Sequence, residues 1–246
     1  MSISVSKTTA QMAVQAAKFA AREINRAIGE KGEARILLAT GESQIEAIRC
    51  LTEEAVDWSK VVMFHLDEYM DLPETHIASF RKYLKERFVN IVNPKEAYLV
   101  DGEGDVKANI ETITEKLKEA PIDVAFIGIG ENGHVAFNDP PADFTTDEAY
   151  IIVDLDEKCK QQQVNEGWFK DLSEVPKQAV SMTVPQIMKS RVIVSIVPGI
   201  RKSDAVSKTL SAEEVTNMVP ATILKTHENW NLFLDADSAS KIIPQI

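Results

Sequence analysis

Cysteine is nearly missing from this chain: Cys50 and Cys159 are its two, in 246 residues. Both fall in helical-looking segments, without CxxC or His-rich spacing. A disulfide frame and a cysteine zinc site are therefore excluded, and the pair reads as reduced thiols in a cytoplasmic protein. Histidine numbers four, with no HxxxH or HxH spacing, so a histidine metal site has no support either. No apolar run approaches the ~20 residues that span a bilayer. The opening MSISVSKTTAQ lacks the basic start and apolar core of a secretory signal. Positive charge is in deficit as well: 27 Lys+Arg against 38 Asp+Glu give a formal charge of −11. A field of that sign opposes nucleic acid and anionic membrane, and no basic stripe or aromatic platform offsets it. An anionic ligand would need positive groups supplied by its own site.

What is present is an alternation of strand-like and helix-like stretches. Residues 8–28 carry Ala17, Ala20, Ala21, Ile24 and Ile28 on one helical face and end at Gly29 and Gly32. Segments 35–39 and 61–66 read as strands, each followed by a helix, over Ile45, Ile48 and Leu51 and over Phe80, Tyr83, Leu84 and Phe88. A weak strand at 97–100 and a helix through Ile110, Ile113 and Leu117 complete the first half. Later, 149–153, 179–183, 191–197 and 230–234 read as extended, with helical stretches at 156–168, 185–189 and 200–210. This alternation predicts an α/β three-layer sandwich, a mainly parallel, Rossmann-like sheet with helices on both faces. No linker, composition shift or repeat divides the chain, so a single domain over residues 1–246 is expected. Trp58, Trp168 and Trp230 lack polar company and read as core or interface residues.

The chemistry gathers at 122–141, IDVAFIGIGENGHVAFNDPP. Its first half is an apolar run of strand length, the mark of a strand buried on both faces. Its second half turns polar, with Glu131, Asn132, His134, Asn138 and Asp139 close together. Ligands of open α/β sheets bind beyond the strands' carboxyl ends, so a buried strand aims an imidazole, an amide and a carboxylate at a crevice. Imidazole passes protons near neutral pH, and a carboxylate on one ring nitrogen would fix its tautomer and raise its basicity. Gly128, Gly130 and Gly133 formally satisfy GxGxxG, but Pro140-Pro141 leave no room for the helix a dinucleotide requires. The glycines instead suit close approach of a small ligand.

Three other stretches carry candidate groups. Thr40-Gly41-Glu42-Ser43 lies between a strand and a helix, where amides cradle phosphate; equally, Thr40 or Ser43 is a plain N-cap. Glu42 opposes a dianion unless it points away. Asp67-Glu68 follows a buried strand, so one carboxylate there would be a partly desolvated general base; a loop acid capping the next segment is the rival reading. Arg201 and Lys202 open a helix, either as a phosphate grip or as a solvated pair.

Taken together, these stretches resemble the glucosamine-6-phosphate deaminase (isomerase) family, whose fold is shared with 6-phosphogluconolactonases. The matching pieces are LLATGES at 37–43, FHLDEYMDLPETHIASF at 64–80, IDVAFIGIGENGHVAFNDP at 122–140, VPKQAVSMTV at 175–184 and PGIRKSDAV at 198–206. LDEYMDLP and GENGHVAFNDP are specific; TGES alone is not. The resemblance implies a phosphate cradle at Thr40, Gly41, Glu42 and Ser43, with Gly130 beside the ligand and a further phosphate contact from Lys202. It implies Asp67 as the base moving a proton between C2 and C1 of an open sugar. His134 would open the ring, assisted by Asp139 and Asn132. No cofactor is implied. The partner is an amino-sugar 6-phosphate, turned into a ketose 6-phosphate and ammonia, and the family commonly assembles into homo-oligomers.

Three departures stand out. Asn132 occupies a position where the family's deaminases usually have Asp; it would still accept a hydrogen bond from imidazole without stabilising imidazolium as a carboxylate does. Asp139 is one methylene shorter than the family's Glu and is expected to reach His134 less closely or through water. A phosphate-binding arginine before the VPK segment has no match, Lys170 being the nearest substitute. Galactosamine-6-phosphate deaminases also show Asn-Gly-His, which widens the choice of sugar. Lactone hydrolysis and a sugar-phosphate sensor without turnover are the rival functions.

Overall fold

The computed structural model describes residues 1–242. In chain order the elements are β1 (Ser2–Ser6), α1 (Thr9–Lys31), β2 (Ala34–Leu38), α2 (Ile45–Thr52), β3 (Val61–His65) and β4 (Asp67–Tyr69). There follow α3 (Phe80–Leu84), a π turn, α4 (Asn90–Val92), β5 (Glu96–Tyr98), α5 (Val106–Lys118) and β6 (Val124–Ile127). The rest comprises β7 (Tyr150–Asp154), α6 (Glu157–Asn165), β8 (Gln178–Met182), α7 (Val184–Ile187), β9 (Val192–Val197), α8 (Ser203–Ser211) and β10 (Trp230–Asp235).

Seven strands form one parallel sheet in the order β1-β10-β9-β6-β2-β3-β5. β2, β3, β6, β9 and β10 are buried along their whole length, as near-continuous apolar strands covered on both faces must be. On one face α1 presents Ala13, Ala16, Ala17, Ala20 and Ile24 to Ile36, Leu38, Val124 and Phe126. The opposite face buries Leu37, Phe64, Ala125 and Ile127 with Ile113, Leu117 and Val206. The expected three layers are present. From β2 the chain moves outward to β3 and β5, returns to β6 on the other side of β2, and continues through β9 and β10. The order therefore reverses between β2 and β6, which opens a crevice above their carboxyl ends.

Several elements differ from the sequence reading. α1 runs through Gly29 to Lys31, and Gly32, at φ +79°, ends it by donating its N–H to Ile28 O. β1 is an additional edge strand paired with β10; SISVS is too short and too polar to announce itself. Asp67-Glu68-Tyr69 is not loop but strand, the edge of a separate antiparallel sheet, β4-β8-β7. Trp230 does have polar company, since its Nε1–H donates to Ser195 Oγ at 2.8 Å.

Candidate active site

The crevice between β2 and β6 is an open pocket whose wall includes Thr40, Gly41, Glu42, Ser43, Asp67, Gly130, His134 and Lys202. Each comes from a loop or strand at the sheet's carboxyl edge. Asn132 and Asp139 are not in this wall; they stand behind His134.

Asp67 and Glu68 divide the two roles that the sequence left open. Glu68, fully buried, is the cap: it accepts from Tyr69 N, Phe80 N, Arg81 N, Ser79 Oγ and Arg81 Nε at 2.7–3.2 Å. Arg81 is in turn held by Asp101 and Glu103. Asp67 is 6% exposed, and its Oδ1 has no hydrogen-bond partner among the described residues. Burial, with the Glu68 charge alongside, pushes the Asp67 carboxyl up to about 8. An orphaned, buried carboxyl facing a pocket has the raised proton affinity that a general base requires.

The loop after β6 is stapled before it delivers His134. Asn138 Nδ2 donates to Val135 O, Met182 O and Ser181 Oγ, and Phe137 N donates to Ser181 Oγ. Asn138, one of the polar cluster, is thus a structural tie to β8. No helix starts on this loop, so the GxGxxG spacing lacks its anion-binding helix end. Gly130, in the pocket wall, also makes room for the His134 ring. The imidazole lies against it, so that a Cβ there would fall 2.2 Å from His134 Nε2.

His134 Nδ1 lies 3.0 Å from Asp139 Oδ1, although not aligned for a linear hydrogen bond. The short Asp139 side chain therefore reaches the ring directly. Asn132 does not accept from the imidazole. Its Oδ1 accepts His134 N–H at 3.0 Å, and its Nδ2 donates to Asp139 Oδ1 at 2.9 Å. Against a burial penalty, the contacts with His134 and Asn132 hold the Asp139 carboxyl below the ordinary carboxylate range. It is an anion ready to orient the ring.

At the other end of the pocket, Gly41 adopts φ +92°, which a side chain would strain, and a 3-10 turn over Glu42–Gln44 leads into α2. First-turn amides lack intrahelical partners and carry partial positive charge. Glu42 points away, its Oε2 being 3.4 Å from Arg201 Nη2. Lys202 reaches the same wall, 9% exposed, with its ammonium lowered by burial and partly supported by Glu166 and Glu131. Lys170 is exposed and outside the wall, so it does not stand in for the absent arginine. Sequence reasoning missed Gln162, Gln163 and Glu166, which α6 and the turn after it add to the wall, and Phe80 and Phe137. A polar run such as KQQQ reads as a solvated helix face; only the packing of α6 over the crevice gives it a site.

The family model of glucosamine-6-phosphate isomerases/6-phosphogluconolactonase matches residues 7–232. The chain belongs to that family. The glucosamine-6-phosphate deaminase of Streptococcus suis is 38% identical over 207 residues, covering 84% of this chain and 86% of the relative. That of Staphylococcus epidermidis is 35% identical over 231 residues, with 90% and 93% covered. Among solved structures, a monomeric glucosamine-6-phosphate deaminase superposes with a TM-score of 0.88 at 26% identity, over 98% of this chain and 100% of the other. A 6-phosphogluconolactonase from Shewanella baltica, at 18% identity and a TM-score of 0.78, shares the fold over 96% and 98% of the two chains. Asn132 and Asp139 act together, the amide donating to the carboxylate that it adjoins.

Proposed function

We propose that the chain is an amino-sugar 6-phosphate isomerase/deaminase, converting glucosamine 6-phosphate and water to fructose 6-phosphate and ammonia. The observation that carries this reading is the pairing of an orphaned buried carboxylate, Asp67, with a carboxylate-backed imidazole, His134, in one pocket. Deaminase relatives on both sequence and structural comparison support it.

In this reading the 40–43 loop and Lys202 hold the phosphate, and that remote binding energy positions the sugar carbons. His134, oriented by Asp139, passes the proton between the anomeric hydroxyl and the ring oxygen, so the pyranose opens. Asp67 then takes the C2 proton, giving an enolamine, and returns a proton to C1. Water adds to the resulting C2 iminium, and ammonia leaves as the ketose carbonyl forms. A cytoplasmic setting suits its two free, buried thiols.

The test is a panel of hexosamine 6-phosphates scored for ammonia, with 6-phosphogluconolactone as the hydrolytic control. Ammonia from glucosamine 6-phosphate supports the reading, and ammonia from the galactosamine epimer alone would change the sugar. Lactone hydrolysis without ammonia, or ligand-induced thermal stabilisation without product, would replace it by the hydrolase or the sensor.

A further inference from the structure

Glu166 shares the pocket wall with Lys202 and Ser43, on the turn that follows α6. Its carboxylate is held in place. Gln162 Nε2 donates to Oε1 at 2.8 Å and Trp168 Nε1 to Oε2 at 3.3 Å. Of the acids acting on the nearly buried Lys202 ammonium, Glu166 acts most strongly, ahead of Glu131. Glu42 is turned towards Arg201 instead. This crevice thus carries a fixed carboxylate in the same wall as its cation. Like charges in a partly desolvated site repel more strongly than in water.

The wall also offers a second kind of recognition. Gln163 is 7% exposed and lines the pocket, and its side-chain amide makes no hydrogen bond among the described residues. An amide so placed is available to sugar hydroxyls. A grip on phosphate serves substrate, product and inorganic phosphate alike. Buried hydrogen-bonding groups, in contrast, discriminate between sugars that differ at one hydroxyl.

We propose that Glu166 is a specificity-determining residue that weakens the cradle's hold on the phosphate, leaving discrimination to the hydroxyls read by Gln163. The proposal rests on the sugar-phosphate reading of this site. It predicts that removing the charge, and not the shape, tightens phosphate binding.

The experiment titrates inorganic phosphate into wild type, Glu166→Gln and Glu166→Asp by calorimetry at low and high ionic strength. In parallel, KM for glucosamine 6-phosphate is measured from ammonia release. Glu166→Gln should bind phosphate about fivefold to tenfold more tightly at low salt, and the gain should shrink towards ~1 M salt as screening removes it. Glu166→Asp, which keeps the charge, should stay close to wild type, and the Gln variant's change in turnover should fall mainly on KM. The proposal is overturned if Glu166→Gln binds phosphate no tighter than wild type, or if neither protein binds it. It is likewise overturned if Glu166→Asp gains as much, or if the gain ignores salt. Phosphate affinity is read without turnover. Tighter phosphate binding in a protein that releases no ammonia would therefore sink the deaminase reading and leave this one standing.

Discussion

At the scale of single residues, the site depends on one carboxylate kept out of hydrogen bonds. In the folded chain Asp67 sits near 8 against an ordinary 3.8, through burial and then the Glu68 charge. The base form is needed for C–H abstraction, so kcat/KM should rise as pH climbs towards about 8. The same shift sets a stability trend. The folded state holds this proton more tightly than the unfolded chain does. Stability is therefore fully present below pH 3.8 and is lost as pH rises to about 8. Asp67→Asn has no such loss. Its melting temperature should exceed that of wild type at pH 9, with the gap closing towards pH 4; an equal gap at both would contradict the shift. Beside His134, Asn132→Asp puts an acceptor where Asp139 now receives a 2.9 Å hydrogen bond. Activity should fall by roughly tenfold in a kcat measurement, the loss of one such charge-assisted bond. Gly130→Ala should cost ~10²-fold in kcat with little change in melting, because a Cβ at 2.2 Å from Nε2 must displace the ring. Asp67, His134 and Lys202 were legible because each follows a buried strand within a specific motif. The roles of Asn132 and Gly130 were not: which groups an amide bonds, and what a missing Cβ makes room for, are decided by the loop's path.

At the scale of elements, the two loops carrying chemistry are braced rather than mobile. Glu68 ties β4 to the start of α3 and neutralises Arg81, which also links Asp101 and Glu103. Glu68→Ala leaves that guanidinium buried and short of partners, and should destabilise by about 3–5 kcal/mol in denaturant unfolding. A much smaller loss would show that the brace is dispensable. The long apolar strands and the alanine face of α1 were readable from periodicity alone. β1 and β4 were not, because their short, mixed segments acquire strand geometry only by pairing with partners far along the chain; β7 and β8 were read as extended, but not their separate antiparallel sheet. The stretch at 156–168 read only as helical, and its contribution to the pocket wall went unseen.

At the scale of the whole molecule, a chain of net charge −11 binds an anion only through local means, here a Gly-bearing turn and a nearly buried lysine at the point where strand order reverses. Among the described residues no helix is long and apolar enough to cross a membrane. The central claim is that Asp67 carries a proton from C2 to C1 of a sugar opened by His134. The direct measurement is turnover of glucosamine 6-phosphate deuterated at C2, following ammonia and the label at C1 of the ketose product. Wild type should release ammonia and carry deuterium from C2 to C1, and Asp67→Asn, folded but inert, should do neither. Ammonia and labelled ketose from Asp67→Asn at the wild-type rate would contradict the account.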